Sequence, residues 1–159
     1  MSIEIRPALP TDLDALARLW YDVWHETHAP IMPAALAGLR TLQNFRDRLE
    51  AALPDIRVSG KPGSPLGFSL IRGDELYQLY LSPAARGTGI AAALLADAES
   101  RIEAVGYSTA WLACAIGNEP AAKFYSKHGW RLIRTERIEV ETAEGLFPVD
   151  IWRFEKPLT

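Results

Sequence analysis

The chain has 159 residues, 48% of them hydrophobic and 23% charged, which suits a single domain over residues 1–159 and excludes disorder, collagen-like structure and coiled coil. Its net charge is −3 and its charges alternate in sign with no Lys/Arg cluster, so the footprint of a nucleic-acid binder is missing and an amine-bearing partner is easier to accommodate. No stretch approaches the roughly 20 apolar residues of a membrane span, Met1 to Pro10 carries no apolar targeting core, and a lone cysteine, Cys114, excludes an intramolecular disulfide or Cys-rich metal site, so the sequence reads as cytoplasmic.

Ser2 to Arg6 alternates Ile3 and Ile5 with polar neighbours, the period of a half-buried strand that Pro7 and Pro10 should end. Thr11 and Asp14 suit a helix start, and Leu13, Leu16, Ala17, Trp20, Val23 and Trp24 then recur at helical spacing. Past Pro30 to Pro33, Leu36, Leu39, Leu42, Phe45 and Leu49 predict one further helix ending near Pro54. Ile56–Ser59, Leu66–Arg72 and Glu75–Leu81, divided by turns at 60–65 and Gly73-Asp74, predict a three-strand meander. Gly89 to Val105 reads as a helix closed by Gly106. Thr109 to Ile116 reads as a strand covered on both faces, and Pro120 to His128 as a short helix capped by Gly129. Two last strands, about Trp130–Val140 and Phe147–Glu155, turn at Ala143-Glu144-Gly145. The expected fold is therefore α+β: a mixed, mostly antiparallel seven-stranded sheet flanked by about four helices.

Arg86-Gly87-Thr88-Gly89-Ile90-Ala91 stands between a strand and a helix N-terminus, where unpaired amides and the helix dipole suit a phosphate. Gly87 to Ala92 also fits the dinucleotide pattern G-x-G-x-x-A, but Ser82 to Ala85 intervene after the strand and the preceding strands look antiparallel, so the parallel βαβ context is missing. A purely structural glycine turn is the remaining alternative.

The run Glu75 to Leu81, then Arg86, Gly89 and Ala91, then Asn118, Ala121, Ala122, Phe124, Tyr125, Gly129 and Trp130, resembles the GNAT superfamily of N-acyltransferases. Arg86, Gly89 and Ala91 meet that family's Q/R-x-x-G-x-G/A signature, and the later residues nearly complete its N-x-x-A-x-x-F/Y-Y-x-x-x-G-F/W pattern. The resemblance implies a GNAT-like acyl-CoA acyltransferase fold that uses acetyl-CoA as acyl donor and needs no metal. Arg86, Gly87, Thr88, Gly89, Ile90 and Ala91 would cradle the pyrophosphate. Leu79, Tyr80 and Leu81 would offer backbone groups to the pantetheine arm by strand augmentation, with Asn118, Ala121 and Tyr125 also at the cofactor. An amide there would polarise the thioester carbonyl.

An alkylamine with a pKa near about 10.4 is mostly protonated at neutral pH and needs a base. Glu75 resembles the family's glutamate base. It shares parity with Leu79 and Leu81, so a period of two puts all three on one face. Tyr125 matches the family's tyrosine acid, able to protonate the departing thiolate. Asn118 either touches the cofactor or caps its helix. Trp24, His25 and Tyr77 are expected at the acceptor site, which the resemblance places around the first helix. His25 and His28 lack a carboxylate-rich partner set for a metal, and Cys114 in an apolar strand suits packing better than acyl transfer. The expected function is acetyl transfer from acetyl-CoA to a primary amine of a small molecule, peptide or protein, by direct attack in a ternary complex. A non-catalytic acyl-CoA sensor is the rival, which would need neither Glu75 nor Tyr125, and a nucleotide-dependent oxidoreductase is remoter. A homodimer is compatible with the sequence.

Overall fold

The computed structural model describes residues 3–158. Among these, seven strands form one sheet in the order β1-β2-β3-β4-β5-β7-β6: β1 Arg6–Pro7, β2 Ile56–Lys61, β3 Ser64–Arg72, β4 Glu75–Leu81, β5 Thr109–Ala115, β6 Arg131–Thr142 and β7 Gly145–Pro157. All neighbours run antiparallel except β4 and β5. The mixed, mostly antiparallel sheet is as expected.

The first strand is shorter than its alternation suggests and includes the proline expected to end it. Ser2 lies outside the described residues, and only Arg6 and Pro7 pair with β2. Pro7 is tolerated because β1 is an edge strand with one neighbour, so its missing N–H leaves no ladder bond unmade. A 3₁₀ turn at Pro10–Asp12 leads into helix α1, Leu13–Thr27. The residue that organises this entry is Asp12, not Thr11 or Asp14. Asp12 is fully buried, accepts from Arg6 at 2.8 Å and 3.0 Å, and takes the amides of Leu9 and Gly63. Burial alone would raise its pKa, but these donors outweigh it and hold the carboxyl at about 2.

The second helical stretch is two helices, α2 Ala34–Leu39 and α3 Leu42–Ala51, so the described residues hold five α-helices rather than about four. The apolar period runs on through Leu36, Phe45 and Leu49, all buried. The backbone nevertheless leaves helical geometry at Arg40, and Thr41 restarts it, its hydroxyl accepting the Asn44 amide at 3.0 Å. Helix α4 is Ile90–Val105, and Gly106 closes it in the left-handed conformation at φ 114°. Helix α5 is Glu119–Lys127.

Two apolar cores flank the sheet. Trp20, Trp24, Phe45 and Leu49 of α1 and α3 pack with Tyr80, Val149 and Ile151 on one face. On the other, Leu95, Ala98 and Ile102 of α4 pack with Ala110, Leu112 and Cys114 of β5, beside Trp130 and Phe154. No helix among the described residues is long and apolar enough to cross a membrane.

Candidate active site

The one parallel junction in the sheet barely forms. Strands β4 and β5 share a single registered pair, Glu75 with Trp111. Asp74 pins it from the turn before β4: its carbonyl accepts the Trp111 amide at 3.1 Å and its carboxylate the indole N–H at 3.1 Å. Beyond that rung the strands part. A cleft of about 630 Å³ opens between Leu76–Leu81 on one side and Leu112–Ala115 on the other, with Tyr125 and Asn118 of α5 at its wall. Leu79, Tyr80, Leu81, Arg86, Ala91, Asn118 and Ala121 all line it. Since β4 is paired only with β3 along this stretch, its other edge is unpaired and open to an extended ligand.

The glycine turn lies at the head of α4. Gly87 and Gly89 have φ of +77° and +87°, where an L side chain is strained. A Cβ on Gly87 would meet nothing within 4 Å, so backbone conformation and open approach, not crowding, explain a glycine there. The Thr88 hydroxyl donates to the Ala85 carbonyl and locks the turn, while Ile90 buries its side chain with Leu94 and Ala85. Gly87, Thr88, Gly89 and Ile90 thus stand outside the cleft lining, between Arg86 and Ala91, which belong to it. The first amides of α4 have no intrahelical acceptor and carry the positive end of the dipole. Arg86 is more than half exposed and pairs loosely with Glu26 at 3.9 Å.

A second, smaller cavity of about 110 Å³ adjoins the cleft on the α1 face. His28, Tyr77, Gln78, Tyr80, Ala113 and Ala115 line both and form the partition. Glu75 lines only the smaller cavity and Tyr125 only the cleft. This corrects the parity reading. In the β3–β4 ladder Leu70 pairs with Gln78 but Ile71 with Leu76, leaving Tyr77 as an extra residue. The bulge resets the alternation. Leu76 and Leu79 therefore face α4, while Glu75, Tyr77 and Tyr80 face α1.

Glu75 is 7% exposed, and burial pushes its carboxyl up to about 7 despite Arg72, whose Nη2 lies 3.5 Å away. Tyr77 accepts from Arg48 Nη2 at 2.8 Å and carries the Arg72 guanidinium 3.8 Å above its ring. Trp24 lines the smaller cavity, but His25 lines neither: its Nε2–H donates to the Arg40 carbonyl at 2.6 Å, holding the α2–α3 junction. His28 stands at the partition instead, stacked on Trp24 with its Nδ1 3.5 Å from the Tyr80 hydroxyl, and burial lowers its pKa to about 4. It is therefore neutral at physiological pH.

Residues 18–130 match the model of the acetyltransferase (GNAT) family. The chain belongs to that family. It is 33% identical over 109 residues to an uncharacterized N-acetyltransferase of Mycobacterium tuberculosis, a match covering 65% of this chain and 67% of the relative. Among solved structures it resembles a GCN5-related N-acetyltransferase of Rhodopseudomonas palustris, at TM-score 0.74 and 20% identity over 99% of this chain and 96% of the other. It also resembles the PaiA N-acetyltransferase of Thermoplasma acidophilum in complex with coenzyme A, at TM-score 0.68 and 24% identity over 99% of each chain.

In this GNAT acyltransferase Tyr125 packs among Phe124, Trp130 and Phe154 at the cleft wall, and burial raises its phenol above the ordinary range. It stays protonated at neutral pH. The Asn118 side chain accepts the Ala121 amide at 3.4 Å and also lines the cleft, so capping and cleft lining coincide in one residue. Cys114 lines the cleft too, yet burial pushes its thiol up to about 12, which leaves little nucleophilic thiolate. No group of three or more His, Cys, Asp or Glu suited to a metal occurs among the described residues. Sequence reasoning missed Asp74, taken only as a turn residue, and the arginines Arg40 and Arg48, which line the smaller cavity without any motif to mark them.

Proposed function

We propose that this protein transfers an acetyl group from acetyl-CoA to a primary amine by direct attack, with donor and acceptor bound together. The observation that carries this reading is the pair of cavities sharing one wall, with a carboxyl of raised pKa on one side and a protonated phenol on the other. Acetyl-CoA fits what is present: a glycine turn leading to helix amides that have no intrahelical acceptor for the pyrophosphate, then an open strand edge along Leu79–Leu81 for an extended arm. The coenzyme A complex of the PaiA neighbour supports the same donor.

Acetyl-CoA supplies the activated acyl carbon; the protein's residues manage protons and charge. Glu75, about half ionised near pH 7, accepts a proton from the ammonium form of the acceptor through water, giving a neutral amine. A free amide on β4 stabilises charge developing on the carbonyl oxygen. As the N–C bond forms and the C–S bond breaks, the nitrogen gives up its second proton to water, Tyr125 donates its proton to the departing sulfur and is reprotonated from solvent, and Glu75 releases the proton it took. Amide and thiol are the products, so atoms and charge balance. Direct attack needs no acyl-enzyme, in keeping with the raised thiol of Cys114.

Initial rates at varied acetyl-CoA and amine are expected to give intersecting lines, and acetyl-CoA alone is expected to leave no acyl group on the intact protein by mass spectrometry. Parallel lines with acetylated Cys114 would overturn direct attack. Tight acetyl-CoA binding with no thiol release across a broad amine panel would leave an acyl-CoA sensor instead.

A further inference from the structure

We infer that the acceptor is a small amino carboxylate, whose carboxylate is held by Arg40 and Arg48 while its amine faces Glu75. This rests on the acetyl-transfer reading above and names the substrate class of the same site.

Both guanidiniums line the smaller cavity, and neither forms an ion pair among the described residues. Arg40 is only 4% exposed. Its Nη1 donates to Asn44 Oδ1 at 3.1 Å and to the Glu141 carbonyl at 2.7 Å, leaving Nε and Nη2 with no acceptor among the described residues. Arg48 lies with its guanidinium 4.4 Å from the Trp20 ring centroid and donates to the Tyr77 hydroxyl. Burial and the neighbouring Arg48 charge lower the Arg40 pKa to about 10, so it remains a cation at neutral pH; the Glu141 carboxylate acts on it only through space and forms no ion pair with it.

Two cations held this way cost free energy unless an anion arrives, and a planar guanidinium matches a carboxylate in paired hydrogen bonds. The other ionisable groups nearby do not supply that anion. Glu75, the one carboxylate in the lining, already faces Arg72, which also pairs with Glu141. Arg153 is paired with Glu136 and Glu155, and His28 is neutral. The cavity is thus positive inside a chain whose net charge is −3. A polyamine would add cations to cations, whereas a zwitterion places opposite charges at both ends. At about 110 Å³, against the roughly 300–1,000 Å³ of drug-sized ligand sites, the cavity suits a small acceptor, and Trp24, Met32 and Leu36 give its body an apolar wall.

The test compares amines that differ only in the carboxylate: leucine with isoamylamine, phenylalanine with phenethylamine, and spermidine as a polycation, with kcat/KM followed by thiol release. Each amino acid is expected to exceed its decarboxylated partner at least 100-fold. Arg48→Gln is expected to raise KM for the amino acid about 100-fold with kcat within a few-fold, and Arg48→Lys to restore part of the loss. Arg40→Gln is expected to act likewise. Independently of turnover and of that buried variant's folding, 4-methylpentanoate and 3-phenylpropanoate are titrated calorimetrically into the CoA-bound protein. At least one is expected to bind, at least tenfold more weakly in Arg48→Gln. Decarboxylated amines used equally well, or no binding of either carboxylate to the parent protein, would overturn the inference. Carboxylate binding lost in Arg48→Gln, with no amine acetylated, would overturn acetyl transfer while upholding the carboxylate subsite.

Discussion

On the α4 side of the partition the protein presents mainly backbone: an unpaired strand edge at Leu76–Leu81 and the first amides of a helix reached through Gly87 and Gly89. On the α1 side it presents side chains: Glu75, Tyr77, Trp24, Arg40 and Arg48, gathered from α1, α3, β4 and the α2–α3 junction. Backbone recognition suits a ligand that does not vary and constrains sequence at a few glycines. Side-chain recognition can be rewritten without touching the fold. One scaffold can therefore keep its acyl donor while its acceptor changes.

The comparison can be broken at the wall of the cleft, where Tyr125 is the proposed proton donor. Tyr125→Phe is expected to lower kcat by roughly 10²–10⁴-fold with coenzyme A affinity little changed, measured by steady-state kinetics and calorimetry. Because burial raises the Tyr125 phenol, the parent is expected to show no loss of kcat from its ionisation below about pH 10. An unchanged kcat, with chemistry rate-limiting, would pass the proton donor's role to water.

The backbone side itself is probed by charge at Gly87, where a Cβ meets nothing and φ is +77°. Asn tolerates that conformation, so Gly87→Asn is the neutral control for Gly87→Asp. The aspartate is expected to weaken coenzyme A binding by about 100-fold relative to Asn, and less at high salt, since a like charge a few ångströms from phosphate costs about 3 kcal/mol before screening. Equal affinities would remove the turn from the site.

The smallest effect belongs to Glu75→Gln, because an amine can lose its proton without help at high pH. The substitution is expected to lower kcat/KM about tenfold near pH 7 and to remove the limb that Glu75 contributes near pH 7, converging with the parent as pH approaches the amine's own pKa. Stability should move the other way. A carboxyl whose folded pKa is raised from 4.5 to about 7 favours the fold below pH 4.5 and loses that contribution as pH rises through 7. Glu75→Gln is therefore expected to stabilise the protein at pH 8, by up to about 3 kcal/mol, relative to its effect at pH 5, as measured by denaturant unfolding. A parent-like pH–rate profile would take Glu75 out of the mechanism.

Elements dominated by one local period were legible. Strand β4 begins and ends where its alternation and the Gly73-Asp74 turn place it, and α4 runs to the glycine expected to close it. What escaped depended on distant partners. The bulge at Tyr77 arises from pairing with β3 and moves Glu75 to the opposite face from Leu79, which no pattern within β4 reveals. His25 and His28 look equivalent at a spacing of three, and only the Arg40 carbonyl draws His25 away. Arg40 and Arg48 look like solvated helix charges. Arg40 is buried because the Glu141 carbonyl, 101 residues further on, accepts its guanidinium. The residues of the cleft were readable because the chemistry that selects them is local; of the smaller cavity Trp24, Glu75 and Tyr77 were readable too, and Arg40 and Arg48 were not because what buries them is tertiary.

The single Glu75–Trp111 rung also has a mechanical meaning. Strands β1–β4 and β5–β7 amount to two half-sheets joined along the sheet at one pinned point, like a book held at one corner of its spine. A donor lying in the gap would complete the missing ladder, so the protein's resistance to opening should belong partly to its ligand. Amides along Leu76–Leu81 would then exchange with solvent at rates set by donor occupancy, and the half-sheets would be free to breathe once the spent coenzyme leaves.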